Sequence, residues 1–192
     1  MIGQLLLAPL AAFAFSKFTF RFKNVLFFIY VVVMMLPFQG VMIPNYIALG
    51  NMGLLNTAWS LILPGIFSPF AVFLLRQYMM NVPDEILEAA RIDGASNLQI
   101  FFHIMLPQVT PGLAAMVVLS FAEIWNMVEQ PLLLVRDKKL YPLSLVLCDL
   151  EKVSMTEVFA GAVLFMAPVI ILYFIFHDDI ISGIEYFRIN RL

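Results

Sequence analysis

The stretch "NVPDEILEAARIDGASNLQIFFHIMLP", Asn81 to Pro107, decides how this chain is read. It follows a long neutral region: from Asn24 to Leu75 there is no Lys, Arg, Asp or Glu. Charge then returns as Arg76, Asp84, Glu85, Glu88, Arg91 and Asp93. Helix signals order the stretch. Pro83 suits a first helical turn, and Asp84 and Glu85 stand where the helix dipole favours acids. Gly94 is a helix stop. Ser96 with Gln99 three residues later is a capping-box pattern that opens a second helix. The pattern predicts a helix, a turn and a helix lying along a membrane surface, with the next span beginning near Ile104.

At 100° per residue the first helix groups Ile86, Ala89, Ala90 and Asp93, with Leu87 and Ile92 flanking that face. Only Glu88 and Arg91 make a polar edge. A helix wetted by solvent on one side shows a broad polar face; this one is apolar around most of its circumference. Ala89, Ala90, Gly94 and Ala95 also permit close approach. Such a helix is expected to be gripped on two sides, by its own bundle and by another protein. The plainer alternative makes Glu88 and Arg91 an ordinary i,i+3 surface pair on a helix resting at the bilayer interface. Interfacial helices favour bases on the polar face, and this one carries more acids.

The rest of the chain sets the context. It has 192 residues, 62% hydrophobic and only 12% charged, with a mean hydropathy of +0.95. Soluble domains carry roughly twice that charge. The composition implies a chain that mostly faces lipid or other buried helices. A net charge of −2 gives no basic field for nucleic acid. The one cysteine, Cys148, excludes an internal disulfide or a cysteine zinc cluster; it is expected to fill an apolar gap. No ten-residue alternating segments mark a β-barrel.

The apolar blocks are Ile2–Phe15, Val25–Leu49 (interrupted by Pro37, Gly40 and Pro44), Trp59–Tyr78, Ile104–Val135 and Val158–Phe176. Prolines inside a span survive where other protein covers the freed backbone, which favours a buried bundle. Gly50–Thr57 reads as a turn. Ile2–Phe15 is shorter than the ~20 residues a span needs and lacks a signal peptide's basic start. It reads as the second half of a span, in a fragment or a chain begun at an internal start. Lys17, Arg21, Lys23, Arg76, Arg91, Arg188 and Arg191 fall on one side, against Arg136, Lys138, Lys139 and Lys152 on the other. The positive-inside rule then puts the Glu88 loop and the C-terminus in the cytoplasm.

With these residues in view, the sequence resembles the permease subunit of binding-protein-dependent ABC importers. That family's signature is E-A-A, three residues, G, nine residues, I, one residue, L-P. Glu88, Ala89, Ala90, Gly94, Ile104, Leu106 and Pro107 match it at every position and spacing. "EAARIDGAS", the segment Met42–Ile86 and Trp125-Asn126…Pro131 are similar to the carbohydrate branch, the maltose- and multiple-sugar-type permeases.

The resemblance implies an all-α polytopic membrane bundle. It covers residues 1–184, with about four and a half to five of the usual six spans, a coupling loop at 81–103 and a cytoplasmic tail at 185–192. It implies a multi-pass protein of the bacterial cell membrane. The implied partners are a second permease subunit, a cytoplasmic ABC ATPase dimer and an extracytoplasmic sugar-binding protein. Glu88, Ala89, Ala90, Arg91, Asp93 and Gly94 would form the element that enters the ATPase, with no cofactor and no metal in this chain. Two departures stand out: Met127 replaces an acid common after Trp-Asn, and the usual small-residue tail is absent.

Glu123 and Glu129 lie in an apolar block, where ionisable residues are costly and face the bundle interior or a water-filled path. With Trp125 and Asn126 they are candidates for a sugar path: carboxylates accept hydroxyl hydrogen bonds and an indole offers a stacking face. Alternatively, Glu123 bonds a neighbouring helix and Glu129 is solvated. His103 reads as solvated, and His177, Asp178 and Asp179 as a helix terminus. The phosphate-cradling G-x-x-x-x-G-K-[ST] is missing, which removes that route to ATP. Other readings are an ABC permease for a non-sugar solute, an ion-driven carrier and an intramembrane enzyme. No internal repeat supports the carrier, and no convergent catalytic set supports the enzyme.

Overall fold

In a computed structural model, residues 1–148 and 155–189 are described. Lys152 and Arg191, counted above for orientation, lie outside them, as do the side chains of Asp179 and Arg188 and the end of the expected tail. All regular structure among the described residues is helical. The helices are α1 (Ile2–Lys17), α2 (Lys23–Met35), α3 (Phe38–Asn51), α4 (Trp59–Ile66), α5 (Pro69–Met80) and α6 (Asp84–Ile92). They continue as α7 (Asn97–Gln108), α8 (Thr110–Trp125), α9 (Glu129–Leu134), α10 (Leu143–Cys148) and α11 (Met155–Ile189).

Among the described residues, two stretches are long and apolar enough to cross a membrane, Trp59–Met80 and Thr156–Asp178. Counting the bent pairs Lys23–Met35 with Phe38–Asn51, and Asn97–Gln108 with Thr110–Trp125, as one span each gives four. Ile2–Lys17 is a shorter apolar helix.

The chain forms two compact units. One contains Ile2–Met35 and Phe67–Val117. Its core is a cluster from α1, α5, α6 and α7: Ala8, Ala12, Phe13, Phe15, Leu75, Met79, Val82, Leu87, Ile100, Phe101 and Met105. Small residues let α1 and α5 pack closely, and Phe13, Phe15, Phe18 and Tyr30 interlock edge-on or tilted. Arg76 donates to the Phe15 carbonyl at 3.1 Å and lies 3.8 Å over the Phe27 ring. Gly112 leaves room for Tyr78: a Cβ there would meet the ring at 2.6 Å.

The other unit contains Leu36–Ile66 and Val118–Ile175. Leu49, Leu134 and Val135 form a small core with Tyr46, Leu54, Leu55, Leu61, Leu63 and Tyr141. Asn56 ties its loops together, its Oδ1 accepting from the Arg136 and Asp137 amides at 2.8 Å each.

Several expectations are corrected. Val25–Leu49 breaks only at Leu36–Pro37, where Pro37 supplies an extended residue before α3; Gly40 and Pro44 fall inside that helix. Helix α3 runs through Asn51, so the turn begins later than Gly50, with Gly53 at φ +69°. Ile104–Val135 is not one span: α7 continues through Gln108, the next helix starts at Thr110 after a 77° bend, and α9 is separate. The cause is local. Pro107 and Pro111 each lack an amide donor, and Thr110 Oγ1 donates instead to the Pro107 carbonyl at 2.8 Å. Cys148 is exposed at the end of α10 and fills no gap.

Candidate functional site

Helix α6 is built as its sequence directs. Pro83 is extended, with φ −59° and ψ 137°, and occupies the position just before the helix, one residue earlier than expected. Asp84 and Glu85 fill the first turn and Arg91 the last. Gly94 takes φ +85°, a conformation glycine adopts without a Cβ penalty. Ser96 and Gln99 form the reciprocal capping box that starts α7.

The buried side of α6 differs from the expected one. Only Leu87 is fully buried, at 2% exposure, and Ala90 is partly buried against the same cluster. Ile86, Ala89 and Asp93 are exposed. At 100° per residue, the direction opposite Leu87 is held by Glu85, Ala89 and Ile92, with Glu88 beside them. Ile92 is 87% exposed. The sequence placed the larger residues Ile86 and Leu87 on neighbouring positions, and periodicity alone does not say which one is the knob. Glu88 and Arg91 form no ion pair among the described residues.

One side chain that sequence reasoning did not single out fixes α6 in place. Lys17 Nζ, at the end of α1, reaches Asp84 Oδ1 at 2.7 Å and the Val82 carbonyl at 2.5 Å. The hydrogen bond from Lys17 holds the Asp84 carboxyl below its ordinary value. Of the remaining signature residues, Ile104 and Leu106 pack partly buried on the core and Pro107 is exposed. His103 is exposed, with Nδ1 3.1 Å from the Gln99 carbonyl. Phe101–Met105 is a wider, π-helical turn inside α7, a feature common at functional sites.

The candidate path residues lie in the other unit. Trp125 stacks on Phe121 and on Phe165, each at 5.3 Å, and donates its indole N–H to the Phe165 carbonyl at 3.0 Å. Asn126 donates to the Ala122 carbonyl at 2.7 Å. Glu129 accepts from Gln39 Nε2 at 3.1 Å. Glu123 is exposed. Ser120, one turn before Glu123, is 2% exposed with a hydroxyl that has no partner among the described residues. A single serine in an apolar run gives no sequence signal to find it. His177 Nδ1 contacts Asp178 Oδ1 at 3.3 Å.

An apolar chain, all-helical among the described residues and with up to four candidate spans, has the architecture of a polytopic membrane protein. The profile of the family described as binding-protein-dependent transport system inner membrane component matches residues 4–185. The chain belongs to that family. It is 34% identical over 187 residues to the arabinooligosaccharides transport system permease protein AraQ of Halalkalibacterium halodurans, covering 96% of this chain and 67% of the relative. It is 39% identical over 139 residues to the sn-glycerol-3-phosphate transport system permease protein UgpE of Salmonella typhi, covering 72% of this chain and 50% of the relative. Among solved structures, a chain of a bacterial ABC transporter involved in import of the acidic polysaccharide alginate superposes with a TM-score of 0.79 at 26% identity, covering 93% of this chain and 69% of that one. The chain thus spans between half and about two thirds of the length of these relatives, and the carbohydrate-type resemblance holds.

Proposed function

We propose that this chain is the permease subunit of an ATP-driven carbohydrate importer in a bacterial cell membrane, with α6 as the element that docks into a cytoplasmic ATPase. The observation that carries the proposal is the outward side of α6. Glu88 offers a carboxylate with no partner among the described residues, beside an Ile92 that is 87% exposed. A lone acid flanked by uncovered Ala89 and Ile92 fits a basic, apolar-walled cleft better than open water. ATP binding would draw two such helices together and switch the bundle between inward- and outward-facing states.

The other partners follow from the same reading. A second permease subunit would cover apolar surface such as the Thr156–Asp178 window, none of which is buried by this chain. An extracytoplasmic sugar-binding protein would deliver solute. The charge distribution supports α6 and the C-terminus on the cytoplasmic side. Glu123, Trp125, Asn126 and Glu129 remain the proposed path. Identity with UgpE supports a second reading, a phosphorylated polyol. Two carboxylates in the proposed path weigh against an anionic ester and favour neutral hydroxyl-rich solutes.

The test uses a complex purified from native membranes through a tag on this chain. The wild type is expected to bring an ATP-hydrolysing subunit with it. Glu88→Lys and Gly94→Asp are expected to reach the membrane and lose about tenfold or more of that subunit, as removal of an interface hot spot does. Retention of the ATPase with unchanged turnover in both variants would refute the docking assignment. Competition for uptake by a neutral oligosaccharide against glycerol 3-phosphate separates the two solute classes.

A further inference from the structure

We infer that Lys17 is a positioning residue that locks α6 rigidly to α1, so that movement of α6 is delivered into the membrane bundle instead of being absorbed at the loop. The inference rests on the docking role proposed for α6.

The Lys17 side chain is only 5% exposed, while that of Asp84 is 72% exposed. Both oxygens that the ammonium reaches lie at the start of α6: Val82 O stands two residues before the helix, and Asp84 Oδ1 belongs to its first residue. A buried ammonium needs such partners; removing one leaves an uncompensated charge. One turn along α6, Leu87 enters the core that α1 and α5 build. Asp84 and Leu87 stand three residues apart on the inner side of the helix. An apolar knob alone is a pivot, because dispersion contacts are non-directional. A charge-assisted strut one turn away removes the freedom to rotate about that pivot. The strut begins at the last residue of α1, and α1 is fastened in turn to α5 by Arg76 on the Phe15 carbonyl. The outward residues Glu85, Glu88, Ala89 and Ile92 take no part and stay available for docking.

The experiment compares Lys17→Met, Lys17→Arg, Asp84→Asn and the double variant Lys17→Met/Asp84→Asn in the assembled transporter from native membranes. The readouts are ATPase retention, basal ATP hydrolysis and oligosaccharide uptake per ATP hydrolysed. In Lys17→Met and Asp84→Asn the ATPase stays bound and basal hydrolysis continues, but uptake per ATP falls about tenfold, as expected of lost positioning. Lys17→Arg keeps most of the coupling. The double variant is no worse than the worse single one, because both remove one interaction. Full coupling in Asp84→Asn overturns the inference, and that exposed, isosteric change decides the matter even if Lys17→Met fails to fold. Additive losses in the double variant also overturn it. Release of the ATPase by Glu88→Lys tests the docking role separately.

Discussion

At Asn56 the backbone takes φ +59°, which most L residues avoid and asparagine tolerates. Its amide donates to the Leu134 carbonyl at 2.9 Å while its side-chain oxygen accepts two amides of the following loop. Asn56→Asp keeps both the acceptor and a tolerated conformation. Asn56→Ala loses the acceptor of two exposed amides and strains the turn, and is expected to cost about 0.5–1.5 kcal/mol, the net worth of an ordinary hydrogen bond. A fall in the melting temperature of detergent-solubilised protein for Ala but not Asp is the expected result. Asp84 gives a residue-scale expectation in pH. Its carboxyl is held below the ordinary 3.8 by the hydrogen bond and charge of Lys17. A depressed carboxylate contributes above its unfolded value and loses that contribution as pH falls through the folded one. Hydrogen exchange in Asp84–Ile92 is therefore expected to show no titration step from Asp84 between about pH 5 and 8, and a step only on strong acidification. A step near pH 6 that vanishes in Asp84→Asn would contradict the geometry.

Between α7 and α8 the chain bends by 77° at Val109, and there the limits of sequence reasoning are concrete. Local signals were legible: the Gly94 stop, the Ser96–Gln99 box and the acids of the first turn of α6 all stand where the residues put them. These depend on one or two neighbours. The bend was not legible, because Pro107 and Pro111 each permit either a kinked helix or two helices. The choice falls to tertiary contacts such as Gly112 against Tyr78. Leu87 as the buried knob of α6 was hidden for the same reason: burial depends on what α1 and α5 present. Trp125 and Glu129 were legible as unusual residues, but their actual partners Phe165 and Gln39 are 40 and 90 positions away. Gly112 gives the prediction at this scale. An added Cβ would lie 2.6 Å from the Tyr78 ring and 3.1 Å from its Cβ, and both belong to a packed core. Gly112→Ala is expected to destabilise by about 1–3 kcal/mol, as overpacking does. The double change with Tyr78→Leu should recover part of it. An unaltered melting temperature for Gly112→Ala would show that the two helices separate easily.

For the molecule as a whole, the open matter is which way the chain lies in the bilayer, and charge supplies the argument. Lys17, Arg21 and Lys23 crowd the loop between α1 and α2, and Arg91 lies on α6, whereas the Met52–Ala58 connection carries no base. Short loops obey the positive-inside rule more faithfully than long ones, so this contrast outweighs Arg136, Lys138 and Lys139. Cys148 turns the reading into a direct measurement. It is the sole cysteine of the chain, it is exposed, and it stands in the segment between α8 and α11 that the proposed orientation puts outside the cytoplasm. A membrane-impermeant maleimide added to spheroplasts expressing the chain is therefore expected to label it, and permeabilisation to add little. A cysteine placed at Asn97, exposed in the loop that carries α6, in a Cys148→Ser background should behave oppositely and label only after permeabilisation. If Cys148 is reached only in permeabilised cells while position 97 is reached from outside, α6 faces away from the cytoplasm. No cytoplasmic ATPase could then dock on it, and the proposed coupling would fail with the orientation.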